Sequence, residues 1–258
     1  MQLISTKSYA KINWSLRITG KRVDGFHDLE TVFQTISLHD ELTFRAADEL
    51  SLTCDDPTIP TDDTNLVMRA ARLVGAPPVA IDLRKRIPAG GGLGGGSSNA
   101  AATLLALGAG RDDLPALALS LGSDVPFFLI GGTAYATGRG EVLTPLRLMS
   151  GIPLLLLLPE ERVLTKEAFA RVTHYSPPLG IDAYRGGFEN FTNDFEEPVF
   201  AMLPRLRDLK RRLHDAGAIW ASMTGSGSTI VGAFVNPEAR DAAAKTFVDV
   251  RVERAETI

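Results

Sequence analysis

The sequence predicts an α+β fold rather than a doubly wound parallel sheet. Two observations support this class: alternating β-forming residues fill most of the first 36 positions, and later strands and helices follow in mixed order. The chain has 258 residues, of which 45% are hydrophobic and 22% charged, as in ordinary globular proteins. We expect one large domain or two small ones, with a seam near residues 145–160.

The elements of the first half are predicted from alternation, helical spacing and turn residues. Residues 8–18 alternate, a turn covers 20–25, and a second alternating stretch through Ile36 completes a hairpin or meander. The remaining elements are short strands at 42–44 and 50–52, a helix at 65–74 and a half-buried strand at 79–83.

The second half is predicted to continue with helices 100–107 and 114–121. Ser98 or Asn99 caps the first, and Pro126 prevents continuation of the second, which places Asp124 at a corner between a helix and a strand. The later elements are a hairpin of 133–137 and 141–146, a buried strand at 154–158, helices near 166–172 and 198–216, a strand at 229–235, a helix near 237–247 and a short final strand.

Charge and cysteine content exclude several classes of protein. The net charge of −4 gives no long-range attraction to nucleic acid or to an anionic membrane. A single cysteine, Cys54, cannot form an internal disulfide. The N-terminus lacks a signal-peptide core, and the longest apolar run, residues 152–158, is too short to span a bilayer. We expect a cytoplasmic protein without a nucleic-acid or membrane partner.

A glycine-rich loop carries the strongest functional signal. Six of the 24 glycines occupy seven positions within the segment Pro88-Ala89-Gly90-Gly91-Gly92-Leu93-Gly94-Gly95-Gly96-Ser97-Ser98-Asn99. Glycine tolerates positive φ, so such a loop can turn successive backbone N–H groups toward one anion, and the following helix adds its own free donors. A flexible linker would not lead into a patterned helix. The segment predicts a phosphate-binding loop between a strand and a helix.

Two familiar phosphate motifs do not account for this loop. A Walker A motif needs Lys followed by Ser or Thr after its last glycine, whereas Ser97 follows Gly96. The dinucleotide pattern is met formally, but its acidic residue would be Asp112 or Asp113, and these open a helix instead of ending a strand. The serine pair suits a magnesium nucleotide, with Ser97 or Ser98 as a Mg²⁺ ligand, although either hydroxyl could simply cap the helix.

The chain resembles the GHMP kinase superfamily in five successive segments. Besides the loop these are Ser8-Tyr9-Ala10-Lys11-Ile12-Asn13, Asp24-Gly25-Phe26-His27, Gly122-Ser123-Asp124-Val125-Pro126 and Met223-Thr224-Gly225-Ser226-Gly227-Ser228. The resemblance is nearest to the branch that phosphorylates the 2-hydroxyl of a cytidyl-linked methylerythritol in the non-mevalonate (MEP) route to isoprenoids.

That resemblance implies a two-domain fold with an ATP-binding domain at 1–148 and a substrate-contributing domain at 149–258. The first would be ribosomal protein S5 domain 2-like in part, the second ferredoxin-like, with the active site in the cleft between them. It also implies ATP and Mg²⁺ as cofactors, a small-molecule cytidyl substrate, and a monomer or homodimer.

The resemblance further implies roles for individual residues. Asp124 matches the catalytic base that accepts the proton of the alcohol, and Lys11 matches the lysine that stabilises charge at the transferred phosphoryl group. Phe26, in place of the tyrosine of many members, would stack on cytosine beside His27. The other expected substrate contacts are Asn13, Thr165 and Phe169, and the segment Asn193-Asp194-Phe195-Glu196 is expected to give structural support.

Two other functions stay open at this point. A related GHMP kinase acting on homoserine or mevalonate would share the loop and differ in its pocket. A catalytically silent nucleotide-binding member would share the fold, although the presence of both Lys11 and Asp124 argues against it.

Overall fold

The computed structural model describes residues 3–258 and contains the mixed α and β elements that the sequence predicts. Its strands are β1 Ile4–Lys21, β2 His27–Ala46, β3 Ser51–Cys54, β4 Val79–Arg84, β5 Thr133–Thr137, β6 Val142–Pro145, β7 Pro153–Leu158, β8 Trp220–Met223, β9 Ile230–Ala233 and β10 Arg251–Glu256. Its α-helices are α1 Leu66–Leu73, α2 Gly95–Leu107, α3 Leu114–Leu121, α4 Val125–Ile130, α5 Thr165–Ala170, α6 Glu196–Met202, α7 Pro204–Asp215 and α8 Pro237–Ala244.

The chain forms two compact units, and both are discontinuous in sequence. Unit 1 comprises the described residues up to Ala10, together with Leu38–Ala89 and Gly94–Gly131. Unit 2 comprises Lys11–Ser37, Gly90–Leu93 and Gly132–Ile258. Strands β1 and β2 pair with each other and contribute residues to both units. The boundary predicted at residue 148 stays a prediction.

Unit 1 combines the strands β3 and β4 and parts of β1 and β2 with the helices α1 to α4. In this unit β4 pairs antiparallel with the second half of β2 and parallel with β3. Alternate residues of β4, such as Ile81 and Leu83, are buried against α1 and the sheet neighbours, as the alternation predicted. A second apolar cluster lies among the four helices, where Ala100 and Leu104 of α2 pack with Ala118 and Val125. The strand that leads to the glycine loop is therefore held by a sheet on both of its edges.

Unit 2 contains a four-stranded antiparallel sheet in the order β10-β7-β9-β8. Every residue of β7 is buried, as the apolar run predicted. Leu155 and Leu157 contribute to one large cluster with the apolar faces of α6, α7 and α8. The hairpin of β5 and β6 pairs with the first half of β2. The described residues contain no helix that is both long and apolar enough to cross a membrane.

The predicted start of the helix after the glycine loop is wrong. Helix α2 begins at Gly95, not at Ala100, and its N-cap residue is Gly94, in the left-handed region at φ 72°. Neither Ser98 nor Asn99 caps it, because the change of backbone direction at Gly94 starts the helix without a capping side chain. Two of the glycines that were assigned to the loop therefore belong to the first turn.

The predicted corner at Asp124 is wrong in one respect, since it joins two helices. Helix α3 ends at Leu121, as predicted, and α4 begins at Val125 directly after Asp124. Pro126 lies in the first turn of α4, where the missing N–H has no intrahelical partner to lose. A proline that ends one helix can thus open the next.

Two further differences occur in unit 2. The predicted helix at 198–216 is two helices, α6 and α7, which break at Leu203 because the residue before Pro204 adopts φ −128° and ψ 76°. Strand β8 was not predicted, since its four residues, Trp220–Met223, are too few for a clear alternation.

Candidate functional site

The second part of the glycine loop forms the first turn of α2 in unit 1. The backbone N–H groups of Gly95, Gly96 and Ser97 lie in the first turn of α2, where no intrahelical carbonyl is available to them. The first bond of the helix runs from Ser98 N to Gly94 O at 2.8 Å. A side chain at Gly95 would approach Ile87 Cγ2 to 3.0 Å. These amides and the helix dipole suit a phosphate group.

The first part of the loop, Gly90–Leu93, lies in unit 2 against the turn that follows β8. Gly90 and Gly92 both have positive φ. A Cβ atom on Gly92 would lie 2.2 Å from the backbone oxygen of Thr224, so only glycine fits there. The carbonyl of Leu93 accepts a hydrogen bond from Lys11 N at 3.0 Å. Glycine is thus required in this segment both for positive φ and for close contact with the backbone. Pro88 and Ala89 precede these glycines.

A buried carboxylate fixes the chain on both sides of the glycine segment within unit 1. Asp40 is fully buried, and its Oδ1 accepts hydrogen bonds from Arg86 N at 2.6 Å and Ile87 N at 2.8 Å. Its Oδ2 accepts from Asn99 Nδ2 at 2.9 Å and pairs with the ammonium of Lys85. One carboxylate therefore holds the residues before Pro88 and a residue in the first turns of α2.

The two serines of the loop have different surroundings. The hydroxyl of Ser98 donates to Tyr9 O at 2.6 Å and accepts from Ser8 Oγ at 2.7 Å, and its side chain is buried. Ser97 is half-buried. Within the described part of the chain, no group of three or more His, Cys, Asp or Glu side chains forms a metal cluster.

Lys11 and Asn13 share one face of β1 in unit 2, as two residues spaced by two must. Lys11 is buried, and its Nζ donates to Asn13 Oδ1 at 2.8 Å. The same oxygen accepts from Gly225 N at 3.1 Å, while Asn13 Nδ2 donates to Thr31 Oγ1 at 2.7 Å. The structure thus brings Lys11 and Asn13 together and surrounds the asparagine amide with protein partners.

Asp124 lies in unit 1 at the junction of α3 and α4. The residue is half-buried, and its side chain does not cap α4, although it occupies the N-cap position. Gly122 is the C-cap residue of α3, and Pro126, with its fixed φ, lies in the first turn of α4. The junction therefore presents a half-buried carboxylate, a group that can act as a general base when a hydroxyl lies within hydrogen-bond reach.

All three aromatic residues predicted to bind a base belong to unit 2, and two of them are in ring contact. Phe26 is 49% exposed, and the guanidinium of Arg139 lies 4.5 Å from its ring centroid. The rings of His27 and Phe169 are stacked at 4.6 Å with an interplanar angle of 14°. Burial, and secondarily the charge of Lys21, lower the pKa of His27, so the ring is neutral at neutral pH.

Thr165, the other residue predicted for this group, lies at the start of α5. Its Oγ1 is 2.9 Å from Ser226 Oγ in the turn after β8. Phe169 follows one helical turn later, so both residues project from neighbouring positions of the same short helix. The contact of Thr165 and Phe169 with a substrate stays a prediction.

A second buried carboxylate, Glu30, anchors the segment that follows α5. Its oxygens accept hydrogen bonds from the backbone of Leu179 and Gly180, both at 2.9 Å, and from the hydroxyls of Tyr184 at 2.7 Å and Tyr135 at 2.8 Å. Burial alone would raise the pKa of Glu30, but these four donors lower it below its ordinary value. The carboxyl stays ionised without a cationic partner among them.

Three residues, Asp40, Glu30 and Arg139, were not predicted from the sequence. The two carboxylates had a signal in β2, because Asp40 has the strand parity of buried Leu42, and Glu30 has that of buried Val32. An acidic residue at an inward position predicts a carboxylate satisfied by buried donors. Arg139 was treated only as part of a hairpin turn, and nothing in the sequence indicates which ring its guanidinium contacts.

Family models match both halves of the chain. The GHMP kinases N-terminal domain matches residues 65–132, and the GHMP kinases C-terminal domain matches residues 182–249. These matches confirm the superfamily resemblance and the two-domain α+β fold class. The first includes the glycine loop and Asp124, and the second includes the turn after β8.

Individual relatives match over almost their whole length. A 4-diphosphocytidyl-2-C-methyl-D-erythritol kinase of Chlorobium phaeobacteroides (strain BS1) is 43% identical, with 94% of this chain and 92% of the relative covered. That of Prosthecochloris aestuarii is 42% identical, covering 95% and 94%. A crystal structure of 4-(cytidine 5'-diphospho)-2C-methyl-D-erythritol kinase superposes with a TM-score of 0.86 at 36% identity, covering 98% of this chain and 99% of that one.

Proposed function

Because this chain belongs to the 4-diphosphocytidyl-2-C-methyl-D-erythritol kinase family, we propose that it phosphorylates 4-(cytidine 5'-diphospho)-2-C-methyl-D-erythritol with ATP. The products are the 2-phosphate and ADP, and the reaction belongs to the MEP pathway of isoprenoid biosynthesis in the cytoplasm. The observation that carries the proposal is the match to named relatives, which covers nearly the full length of this chain and of each relative.

The glycine loop is proposed to hold the phosphates of ATP. The first-turn amides of α2, which have no intrahelical acceptor, supply donors for anionic oxygens, and positive φ at Gly90, Gly92 and Gly94 lets the backbone turn toward them. The full binding set of the proposal is Pro88, Ala89, Gly90, Gly91, Gly92, Leu93, Gly94, Gly95, Gly96, Ser97, Ser98 and Asn99. Asn99 and Ser98 act from within buried hydrogen bonds, so their part is to hold the loop in shape.

The donor set of the loop fits a magnesium nucleotide through Ser97. The Ser98 hydroxyl is already engaged with Tyr9 and Ser8, whereas Ser97 is half-buried beside the first-turn amides. When bound, Mg²⁺ neutralises charge on the phosphate oxygens and orients the terminal group.

Asp124 and Lys11 are proposed to carry the chemical step. The Asp124 carboxylate accepts the proton of the 2-hydroxyl as that oxygen attacks the γ-phosphorus, and ADP leaves in line. The ammonium of Lys11, held by Asn13 Oδ1, stabilises the negative charge of the transferred group. Transfer is direct, with no phosphorylated side chain as an intermediate.

The aromatic group in unit 2 is proposed to bind the cytidyl part of the substrate. Phe26 offers a half-exposed ring for stacking, and its phenyl group keeps the π-face while lacking the hydroxyl of tyrosine. Neutral His27 can donate or accept a hydrogen bond at the base edge. Phe169 and Thr165 complete the group, and Asn13 lies toward the erythritol portion.

A coupled assay of ADP formation tests this proposal directly. The purified chain is given Mg²⁺ and ATP with one of three acceptors: the cytidyl methylerythritol substrate, homoserine or mevalonate. We expect ADP to form with the cytidyl substrate and not with homoserine or mevalonate. Turnover with homoserine or mevalonate would assign the chain to another GHMP activity. If no ADP forms with any of the three acceptors, a silent nucleotide-binding protein would be favoured.

A further inference from the structure

One buried side chain, Asn193, holds the turn after β8 from both sides of Thr224. The Asn193 side chain lies just before α6 and is 5% exposed. Its Nδ2 donates to Met223 O at 2.6 Å and to Gly225 O at 2.8 Å, while its Oδ1 accepts from Phe195 N at 3.0 Å. The amide thereby fixes the carbonyls on either side of Thr224 to the start of a helix.

A second anchor acts on the same turn. Glu196 Oε1 accepts hydrogen bonds from Met223 N and from Ser222 Oγ, both at 2.9 Å, and its other oxygen pairs with Lys210 Nζ at 2.6 Å. Since β8 is short, these side-chain bonds supply restraint that its four-residue ladder cannot. Within the segment Asn193–Glu196, Asn193 thus binds backbone C=O groups of the turn, and Glu196 binds the backbone N–H group of Met223.

The turn after β8 also holds Asn13 in place. Thr224 Oγ1 accepts from Asn13 N at 3.0 Å, and Gly225 N donates to Asn13 Oδ1 at 3.1 Å. That oxygen is the acceptor of the Lys11 ammonium at 2.8 Å. A continuous set of short hydrogen bonds therefore links Asn193 to Lys11 through Gly225 and Asn13.

Little space is left for the turn to move. A Cβ atom on Gly225 would lie 3.3 Å from Gly92 Cα and 3.6 Å from Lys11 Nζ. The residues of this set, Lys11, Asn13, Asn193 and Thr224, are all buried. A shift of the Gly225 amide would move the oxygen that orients Lys11, because no solvent is available to replace the lost partner.

We propose that Asn193 is a positioning residue that sets the Lys11 ammonium through the turn at Met223–Gly225 and the side chain of Asn13. The inference rests on the proposed function, in which Lys11 stabilises the transferred phosphoryl group. Asn193 contacts neither the nucleotide nor the acceptor in this scheme. Its loss should slow the chemical step and leave the binding of both substrates nearly unchanged.

Two variants test this inference, and a neighbouring asparagine serves as the control. Asn193→Asp keeps the size and the acceptor for Phe195 N, but it replaces the donor with an oxygen that faces two carbonyls. Thr224→Val removes the acceptor for Asn13 N at nearly constant volume, and it serves if the first variant does not fold. Asn190→Ala removes a hydrogen bond to Ala183 O at 2.8 Å that lies outside the set.

Two readouts separate positioning from general support of the fold. The first is steady-state kinetics: each test variant should lose about 10- to 100-fold in kcat, with both KM values within roughly twofold. The second needs no substrate: Lys11 is acetylated with a limiting reagent and quantified by peptide mass spectrometry against exposed Lys245. Relative labelling of Lys11 should rise several-fold in both test variants and stay unchanged in Asn190→Ala.

The two readouts also separate this inference from the proposed function. If the unaltered enzyme does not phosphorylate the cytidyl substrate, the proposed function fails, and the labelling comparison still decides whether Asn193 sets Lys11. Unchanged Lys11 labelling in folded Asn193→Asp and Thr224→Val would overturn the inference. So would a loss of kcat no larger than that of Asn190→Ala.

Discussion

Two buried carboxylates on β2, Asp40 in unit 1 and Glu30 in unit 2, hold functional loops in different ways. Asp40 combines an ion pair to Lys85 with two backbone amides that precede the glycine loop. Glu30 relies on two backbone amides and two tyrosine hydroxyls. The comparison shows that charge compensation accompanies the loop proposed to bind an anion, whereas neutral donors suffice beside the aromatic group.

The difference reflects what each loop has to present. A phosphate needs several N–H groups in fixed directions, so the glycine loop is held before Pro88 and again at Asn99. A stacked base needs one open aromatic face, and Phe26 keeps a half-exposed ring with Arg139 over it. Changes in unit 1 should therefore affect nucleotide use and stability, and changes at Phe26 should affect the cytidyl substrate alone.

The largest effect is expected from Asp124→Asn. The amide cannot accept the alcohol proton, so kcat should fall by about 10²- to 10⁴-fold while ATP affinity stays unchanged. Stopped-time assays of product and equilibrium binding of ATP measure the two quantities. Asp112→Asn, an exposed position of the same unit, is the control and should keep full turnover. A turnover for Asp124→Asn close to that of the control would contradict the role of the carboxylate.

The next effect compares the two carboxylates themselves. Asp40→Asn leaves the Lys85 ammonium buried without its counter-ion, which should cost about 3–5 kcal/mol of unfolding free energy. Glu30→Gln leaves no buried charge without a counter-ion, because its partners are neutral, so the loss of unfolding free energy should be about 1–3 kcal/mol. Urea unfolding at neutral pH measures both. Equal losses would show that the ion pair does not distinguish the two regions.

Phe26→Ala should weaken the binding of the cytidyl substrate by about 1–3 kcal/mol, because the cytosine base loses its stacking partner. This corresponds to a rise of its KM by about 5- to 150-fold, with the KM of ATP unchanged. Phe26→Tyr keeps the π-face and should behave as the unaltered enzyme. A parallel rise of both KM values in Phe26→Ala would mean that the ring supports the whole fold instead of one substrate.

The smallest effect concerns pH. Since the pKa of Glu30 is lowered in the folded state, its ionised form contributes stability above its ordinary pKa near 4.5. That contribution is lost as the pH falls through the lower folded value. The difference in unfolding free energy between the unaltered chain and Glu30→Gln should therefore shrink between about pH 5 and pH 3. A difference independent of pH in this interval would show that the carboxyl is not held ionised.

The sequence predicted most elements and the groups of residues that share a motif. Alternation located β4 and β7, and glycine located the end of α3. Local signals failed where backbone geometry decided instead, as at Gly94, which opens α2 without a capping side chain. The links from Asn193 to Lys11 could not be predicted, because they join positions 182 apart that only the folded chain brings together.

Asp124 is proposed to be the base of a kinase for the cytidyl methylerythritol. A crystal structure with that substrate and a non-hydrolysable ATP analogue is the sharpest test of this role. We expect the 2-hydroxyl oxygen within about 2.6–3.2 Å of an Asp124 carboxylate oxygen and in line with the γ-phosphorus. A 2-hydroxyl directed away from Asp124, or another side chain in that position, would contradict it.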